Sequence, residues 1–187
     1  MSLPFAPFEG GTPRRHTRLF AGDGGPAALL GELPVPPAGA ESFGQAVVGW
    51  ADEADLEEVV FLSGVPVAHG PDDHRAFYIA SEGYQTRHDL SEVAPMLGGF
   101  LDGVTGAVTA AGMDHDVDTC VFTTPVHAQS PDAEAALRLL DGFAAVHNIA
   151  VDTDPLRAFA DELARHYAEL AERVNREEPA ADDRMYM

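Results

Sequence analysis

The stretch DTCVFTTPVHAQSPDAEAALRLLDGFAAV, residues 118–146, decides the fold. Asp118 to Thr123 is a short apolar run, the pattern of a central strand covered on both faces. From Pro131 to about Val146 the sequence reads as a helix with a well-signalled start. Ser130 stands as N-cap, Pro131 at the first position, and Asp132 and Glu134 in the first turn, where carboxylates meet the positive end of the helix dipole.

The same strand-then-helix alternation extends outward. Val59–Leu62 reads as a buried strand that runs into the loop SGVPVAHGPDDHR, and Ala76–Ala80 reads as another strand. Phe43, Val47 and Trp50 recur at helical spacing between Ala40 and Ala54, after prolines that hold off any helix until about Ala38. In LGGFLDGVTGAVTAAGMD, residues 97–114, Phe100, Val104 and Val108 fall on one helical face, while Gly103, Gly106 and Ala107 leave room for close packing. Nearer the start, Leu3–Phe20 is punctuated as a hairpin turning at Gly10 and Gly11, and Ala27–Leu30 reads as a short strand. Val151 gives at most a short edge element. Together these predict an α/β sandwich, a largely parallel sheet flanked by helices, in one domain over residues 1–175.

The last helix is expected to open at Asp154 and Pro155. Leu156, Ala160, Leu163, Tyr167, Leu170 and Val174 form a narrow apolar seam along it. Such a seam packs either on the sheet or on a copy of itself from another subunit. Residues 176–187 then read as a flexible acidic tether, with Pro179 barring helix, that ends on the apolar tip Met185-Tyr186-Met187.

Charge narrows the partners. The chain carries 31 acidic and 11 basic side chains, a formal net charge of −20, and all of the basic residues are arginine. Such a surface repels phosphate backbones and anionic membranes, so neither nucleic acid nor a membrane is an expected partner. It suits a protein that must stay hydrated in a salt-loaded cytoplasm, a halophilic setting. The start of the chain has no signal-peptide pattern, and no segment approaches the ~20 apolar residues of a membrane span. Cys120, the single cysteine, lies in an apolar run and is expected to be a buried, inert thiol.

Two loops gather polar groups. HGPDDHR offers His69, Asp72, Asp73, His74 and Arg75 after a strand, where a divalent metal or acid–base chemistry is conceivable, but the spacing matches no established metal motif. TTPVHAQSPD places His127 after another strand. His69, His74, Arg75 and His127 therefore define a candidate pocket, with no metal or other cofactor expected. MDHDVD, residues 113–118, lacks the glycine and closing glutamate of a calcium loop and reads as solvated.

Three runs, VVFLSGVPVAHGPDDHRAFYIASEGY (59–84), MLGGFLDGVTGAVTAAGMD (96–114) and CVFTTPVHAQSPDAEAALRLLDGF (120–143), resemble archaeal and bacterial proteins of the proteasome-assembly-chaperone family, over roughly Ala27 to Val174. The resemblance implies a three-layer sandwich similar to nucleoside phosphorylases, without catalysis, and homo-oligomers in several members. Members usually begin with a further strand and a glycine-rich turn, so this chain is expected to be N-terminally shortened. Some archaeal members resemble ATP-independent proteasome activators or assembly factors whose terminal hydrophobic-Tyr-any tripeptide enters pockets between α subunits of the 20S proteasome. Met185-Tyr186-Met187 matches that tripeptide. The expected function is thus a non-enzymatic binding protein docking on the 20S α ring. The alternative is an enzyme acting on nucleosides or small phosphorylated substrates through His69, His74, Arg75 and His127.

Overall fold

The computed structural model describes residues 6–22, 25–127 and 132–177. In chain order the elements are β1 (Phe8–Glu9), β2 (Thr12–Pro13), β3 (Thr17–Phe20), β4 (Ala28–Gly31), α1 (Pro37–Glu53), β5 (Glu58–Pro66), β6 (Phe77–Ala80), α2 (Glu82–Arg87), β7 (Ala94–Pro95), α3 (Gly103–Gly112), β8 (Asp118–Val126), α4 (Ala133–His147) and α5 (Asp154–Glu177). A 3-10 turn, Pro71–Asp73, lies between β5 and β6.

The central sheet has the order β5-β8-β6-β7. β5 and β8 run parallel in continuous register from Glu58 opposite Asp118 to Pro66 opposite Val126, and β6 and β7 are also parallel. β6 lies antiparallel to β8, with Phe77 opposite Thr123. The sheet is mixed and mostly parallel, as the apolar strand runs predict.

Alternation along the strands sorts side chains into two helical layers. Val59 and Phe61 of β5 pack with Val48 and Ala51 of α1 and Val108 and Ala111 of α3. Val60 of β5 and Cys120 and Phe122 of β8 face the other way, toward Tyr84 of α2 and Leu139 and Val146 of α4. β8 is buried through most of its length, as a strand with neighbours on both edges and helices on both faces must be.

Close backbone approach fixes the first layer. A Cβ on Gly44 of α1 would fall 2.7 Å from the carbonyl carbon of Ala107 on α3, so the two helices meet at a glycine. The sequence reading of Ala107 as a packing position holds, with its partner on α1.

Several expectations need correction. β5 continues to Pro66, and Leu62 is exposed rather than buried, because β5 is an edge strand of this sheet whose second half alternates between covered and open positions. Phe100 lies outside α3 and is fully exposed. Helix begins only at Gly103, after the Gly98-Gly99 pair, and the Leu101 carbonyl folds back to within 2.4 Å of where a Cβ on Gly106 would stand. α2 was not expected at all. Its start is capped by Ser81, whose hydroxyl accepts from the Tyr84 amide at 3.3 Å. α4 is capped by Asp132, which accepts from the Ala135 amide at 2.9 Å; Ser130 and Pro131 lie outside the described residues. Val151 is in no strand.

Near the start, β1 and β2 form the expected hairpin, with Gly10 and Gly11 both at positive φ, the geometry of a tight primed turn. β3 pairs antiparallel with β4, leaving Leu19, Phe20, Leu29 and Leu30 exposed on this ribbon. Glu32, just after β4, receives both Arg14 and Arg18, so one carboxylate ties the two ribbons together.

α5 contacts α4 through its first turns. Ala160 is buried and Leu163 half-buried, but Phe159, Tyr167 and Leu170 are exposed. The seam therefore packs on the body in its first part only. α5 runs to Glu177, two residues into the expected tether; the remainder of the tail, including Met185, Tyr186 and Met187, lies outside the described residues. Among the described residues no helix is long and apolar enough to cross a membrane.

Candidate functional site

The topology brings the polar loops together. β5 and β8 are parallel, so both end at the same edge of the sheet; β6 is antiparallel to β8, so it begins there. His69 follows β5, His74 precedes β6 and His127 follows β8. Their ring centroids stand 5.0 Å (His69–His74), 4.7 Å (His69–His127) and 5.8 Å (His74–His127) apart. Three of the four candidate pocket residues thus converge. The fourth, Arg75, places its guanidinium 5.0 Å from the centre of the Phe77 ring, and its carbonyl accepts from Thr124 Oγ1 at 2.9 Å.

Two of the imidazoles are oriented by neighbours. His69 Nδ1 lies 2.7 Å from the Val67 carbonyl, which can only accept, so Nδ1 carries the proton and Nε2 the lone pair. His69 Nε2 is buried and has no hydrogen-bond partner among the described residues. His127 Nδ1 meets Asp132 Oδ2 at 2.9 Å, and the His127 amide donates to the same oxygen at 3.2 Å. Burial pushes the Asp132 carboxyl up, but the bonds from His127 and the amides of Ala135 and His127, with the charge of Arg138, more than offset this and hold it below the usual carboxylate range. Asp132 is therefore a charged acceptor that fixes the His127 ring. His69 is half-buried, while His74 and His127 are exposed, so the cluster opens to solvent.

A second polar cluster, not anticipated from the sequence, lies beside β5. His88 Nε2 is 2.7 Å and His147 Nδ1 3.5 Å from the Glu58 carboxylate, and the hydroxyl of the fully buried Tyr84 is 2.9 Å from His147 Nε2. Burial first, with His88 adding to it and Glu58 opposing, holds His147 below the ordinary imidazole range. Burial also pushes Tyr84 up, and pushes the Cys120 thiol up to about 12, which supports the reading of an inert cysteine. This cluster depends on α2 and on His88, the residue that caps its C-terminus. Ser81, an N-cap residue type directly ahead of Glu82, is the local signal that could have announced that helix.

At the opposite end of β8, Ser81, Arg87, His115 and Asp118 line a cleft of about 600 Å³. Here Ser81 donates to Asp118 Oδ1 at 2.7 Å and Arg87 pairs with Asp118 Oδ2 at 3.1 Å. A cleft of about 440 Å³ lies over Tyr78, His88 and Val93.

Comparison with known proteins agrees on the fold. No curated protein matches the chain. Among solved structures it is similar to Pyrococcus furiosus PbaA, described as an archaeal homolog of proteasome-assembly chaperone, at 17% identity and a TM-score of 0.80, over 93% of this chain and 73% of that one. A Thermoplasma acidophilum protein of unknown function matches at 21% identity and 0.73, covering 94% and 74%. Pyrococcus furiosus PbaB, described as an archaeal proteasome activator, matches at 14% and 0.66, covering 89% and 77%. The sequence profile of the PAC2 family spans residues 2–171, nearly the whole chain, and the chain belongs to the PAC2 family.

Proposed function

We propose that this chain is a non-enzymatic partner of the proteasome, an assembly chaperone or ATP-independent activator that docks its C-terminal tail into α-ring pockets of the 20S particle. The observation that carries the reading is family membership over residues 2–171, joined to structural relatives described as a proteasome-assembly chaperone homolog and a proteasome activator. Met185 and Tyr186 supply apolar area, the phenol hydroxyl a hydrogen bond, and the terminal carboxylate a partner for a receptor lysine. A single short tail binds weakly. Several on one assembly raise each other's effective concentration, and the exposed Phe159, Tyr167 and Leu170 on α5 support a homo-oligomer. The net charge of −20 without lysine supports a salt-rich cytoplasm as the setting.

The test is capture of purified 20S proteasome by the full chain, by the chain without residues 185–187, and by Tyr186→Ala. Loss of capture in both altered proteins supports the docking mode. Equal capture by all three refutes it, and absence of capture by the full chain refutes the proteasome reading itself. Light scattering of the same samples tests the homo-oligomer, which a monomeric mass would exclude.

A further inference from the structure

The three histidines at the sheet edge do what a docking tail has no use for. They converge from two loops, His69 and His74 from the β5–β6 connection and His127 from the end of β8, and each offers a ligand nitrogen within 4.8 Å of the other two. Three imidazole nitrogens on a tetrahedral zinc ion, bound at about 2.0–2.1 Å, stand roughly 3.4 Å apart. The cluster is thus close to that spacing, and small side-chain rotations on the two loops close the remainder.

The surrounding bonds prepare the ligand atoms. The Val67 carbonyl takes the Nδ1 proton of His69 and Asp132 that of His127, which leaves Nε2 of each ring as a lone-pair donor. A carboxylate behind a histidine is the outer arrangement that fixes tautomer and ring direction in metal sites and raises the ligand's basicity. His69 Nε2 is in addition a buried acceptor with no hydrogen-bond partner among the described residues, a position that costs free energy unless something binds to it. By contrast, in the other cluster His88 Nε2 and both nitrogens of His147 are already engaged with Glu58 and Tyr84.

We propose that His69, His74 and His127 form a site for a divalent transition metal of the zinc class, with Asp132 positioning His127. Neutral imidazole selects such ions over magnesium and calcium, which prefer oxygen. Three protein ligands leave a fourth coordination position, and the exposure of His74 and His127 turns it toward solvent. The acidic surface favours the approach of any cation, while the three nitrogens determine which one is retained.

The experiment uses the full chain, stripped with a chelator, desalted and kept in excess magnesium so that surface carboxylates are occupied. Cobalt(II) is titrated and its visible ligand-field absorption followed, then displaced with zinc. The expected result is one ion per chain with the absorption of a tetrahedral or five-coordinate nitrogen site. His74→Ala and His127→Ala each weaken affinity at least tenfold and Asp132→Asn weakens it severalfold, whereas His88→Gln and His166→Ala leave it unchanged. His74 and His127 are exposed, so their variants are expected to fold, and circular dichroism checks that they do; if one fails, the other decides. Absence of saturable binding by the parent chain, undiminished binding by the folded His74→Ala or His127→Ala protein, or loss in His88→Gln instead, would each overturn the proposal. None of these outcomes bears on proteasome capture.

Discussion

Gly44 and Gly49 both lie inside α1, five residues apart, and the structure assigns their alanine variants opposite signs. In an open helix interior, replacing glycine by alanine stabilises by about 0.5–1 kcal/mol, because alanine has less backbone freedom to lose. Gly49 meets that condition, since a Cβ built there has nothing within 4 Å. At Gly44 the new methyl would stand 2.7 Å from the Ala107 carbonyl carbon and 2.9 Å from both its oxygen and its Cβ. Carbon–carbon contact is favourable near 3.5–4.0 Å, so α3 must retreat by roughly 1 Å. Two of the opposing atoms are backbone and cannot rotate away. Overpacking of this kind costs about 1–3 kcal/mol, which outweighs the helix gain over most of its range. Gly44→Ala is therefore expected to lie about 1–3 kcal/mol below Gly49→Ala, which at about 2–4 °C per kcal/mol for a chain of this length puts a 2 kcal/mol gap near 6 °C in Tm. Thermal and urea unfolding of both variants beside the parent chain, followed by circular dichroism, measures it. If Gly44→Ala melts at or above Gly49→Ala, the close α1–α3 contact is not the packing of this protein.

Three further outcomes follow from the polar clusters and the thiol. Ser81→Ala removes the cap on the Tyr84 amide, the donor to Asp118 and an acceptor for the Thr119 amide; a loss of about 1–2 kcal/mol in urea unfolding is expected, and no loss would show that water replaces all three. His147 is held below the unfolded value of about 6.5, so the unfolded chain binds more protons just below that pH. Its contribution to stability is present above that value and is lost as pH falls through the folded one. His147→Gln should therefore flatten the acid side of the stability–pH curve, and an unchanged slope would exclude His147 as its source. Cys120, buried and with its thiol pushed up to about 12, should resist a thiol reagent at mildly alkaline pH until denaturant is added; rapid labelling of the folded chain would contradict the core packing.

The sheet was legible because its strands are short apolar runs, and β8 in particular reads as a strand with neighbours on every side. Strand direction was not. Nothing in Phe77–Ala80 states whether the chain enters the sheet from one end or the other, and the antiparallel setting of β6 is decided by tertiary packing. That direction brought His74 to the same edge as His69 and His127, since a parallel β6 would have put it at the far edge. The spacing of His69, His74 and His127 matches no metal motif, because motif spacings describe ligands close together in sequence, and His127 joins the other two from a separate loop after β8. α2 escaped notice because it is six residues long and shows almost no apolar repeat. Phe100 was misplaced by the opposite error, since its spacing to Val104 and Val108 continues the apolar repeat although the helix is capped at Asp102 and starts only at Gly103.

The partial anchoring of α5 has a mechanical consequence. Every side chain described from Ala164 to Leu170 is exposed, and the helix continues to Glu177. At about 1.5 Å per residue, the 14 residues beyond Leu163 make a stalk of roughly 20 Å between the last covered turn and the root of the tail. A stalk has phase as well as length, because each added residue turns everything beyond it by about 100°. Two added residues would swing the Tyr167–Leu170 stripe most of the way to the opposite side, whereas seven would lengthen the stalk by about 10 Å and nearly restore its facing. Insertions after Ala164 thereby separate two duties of one helix: a spacer registers only the added length, and a pairing surface registers the rotation.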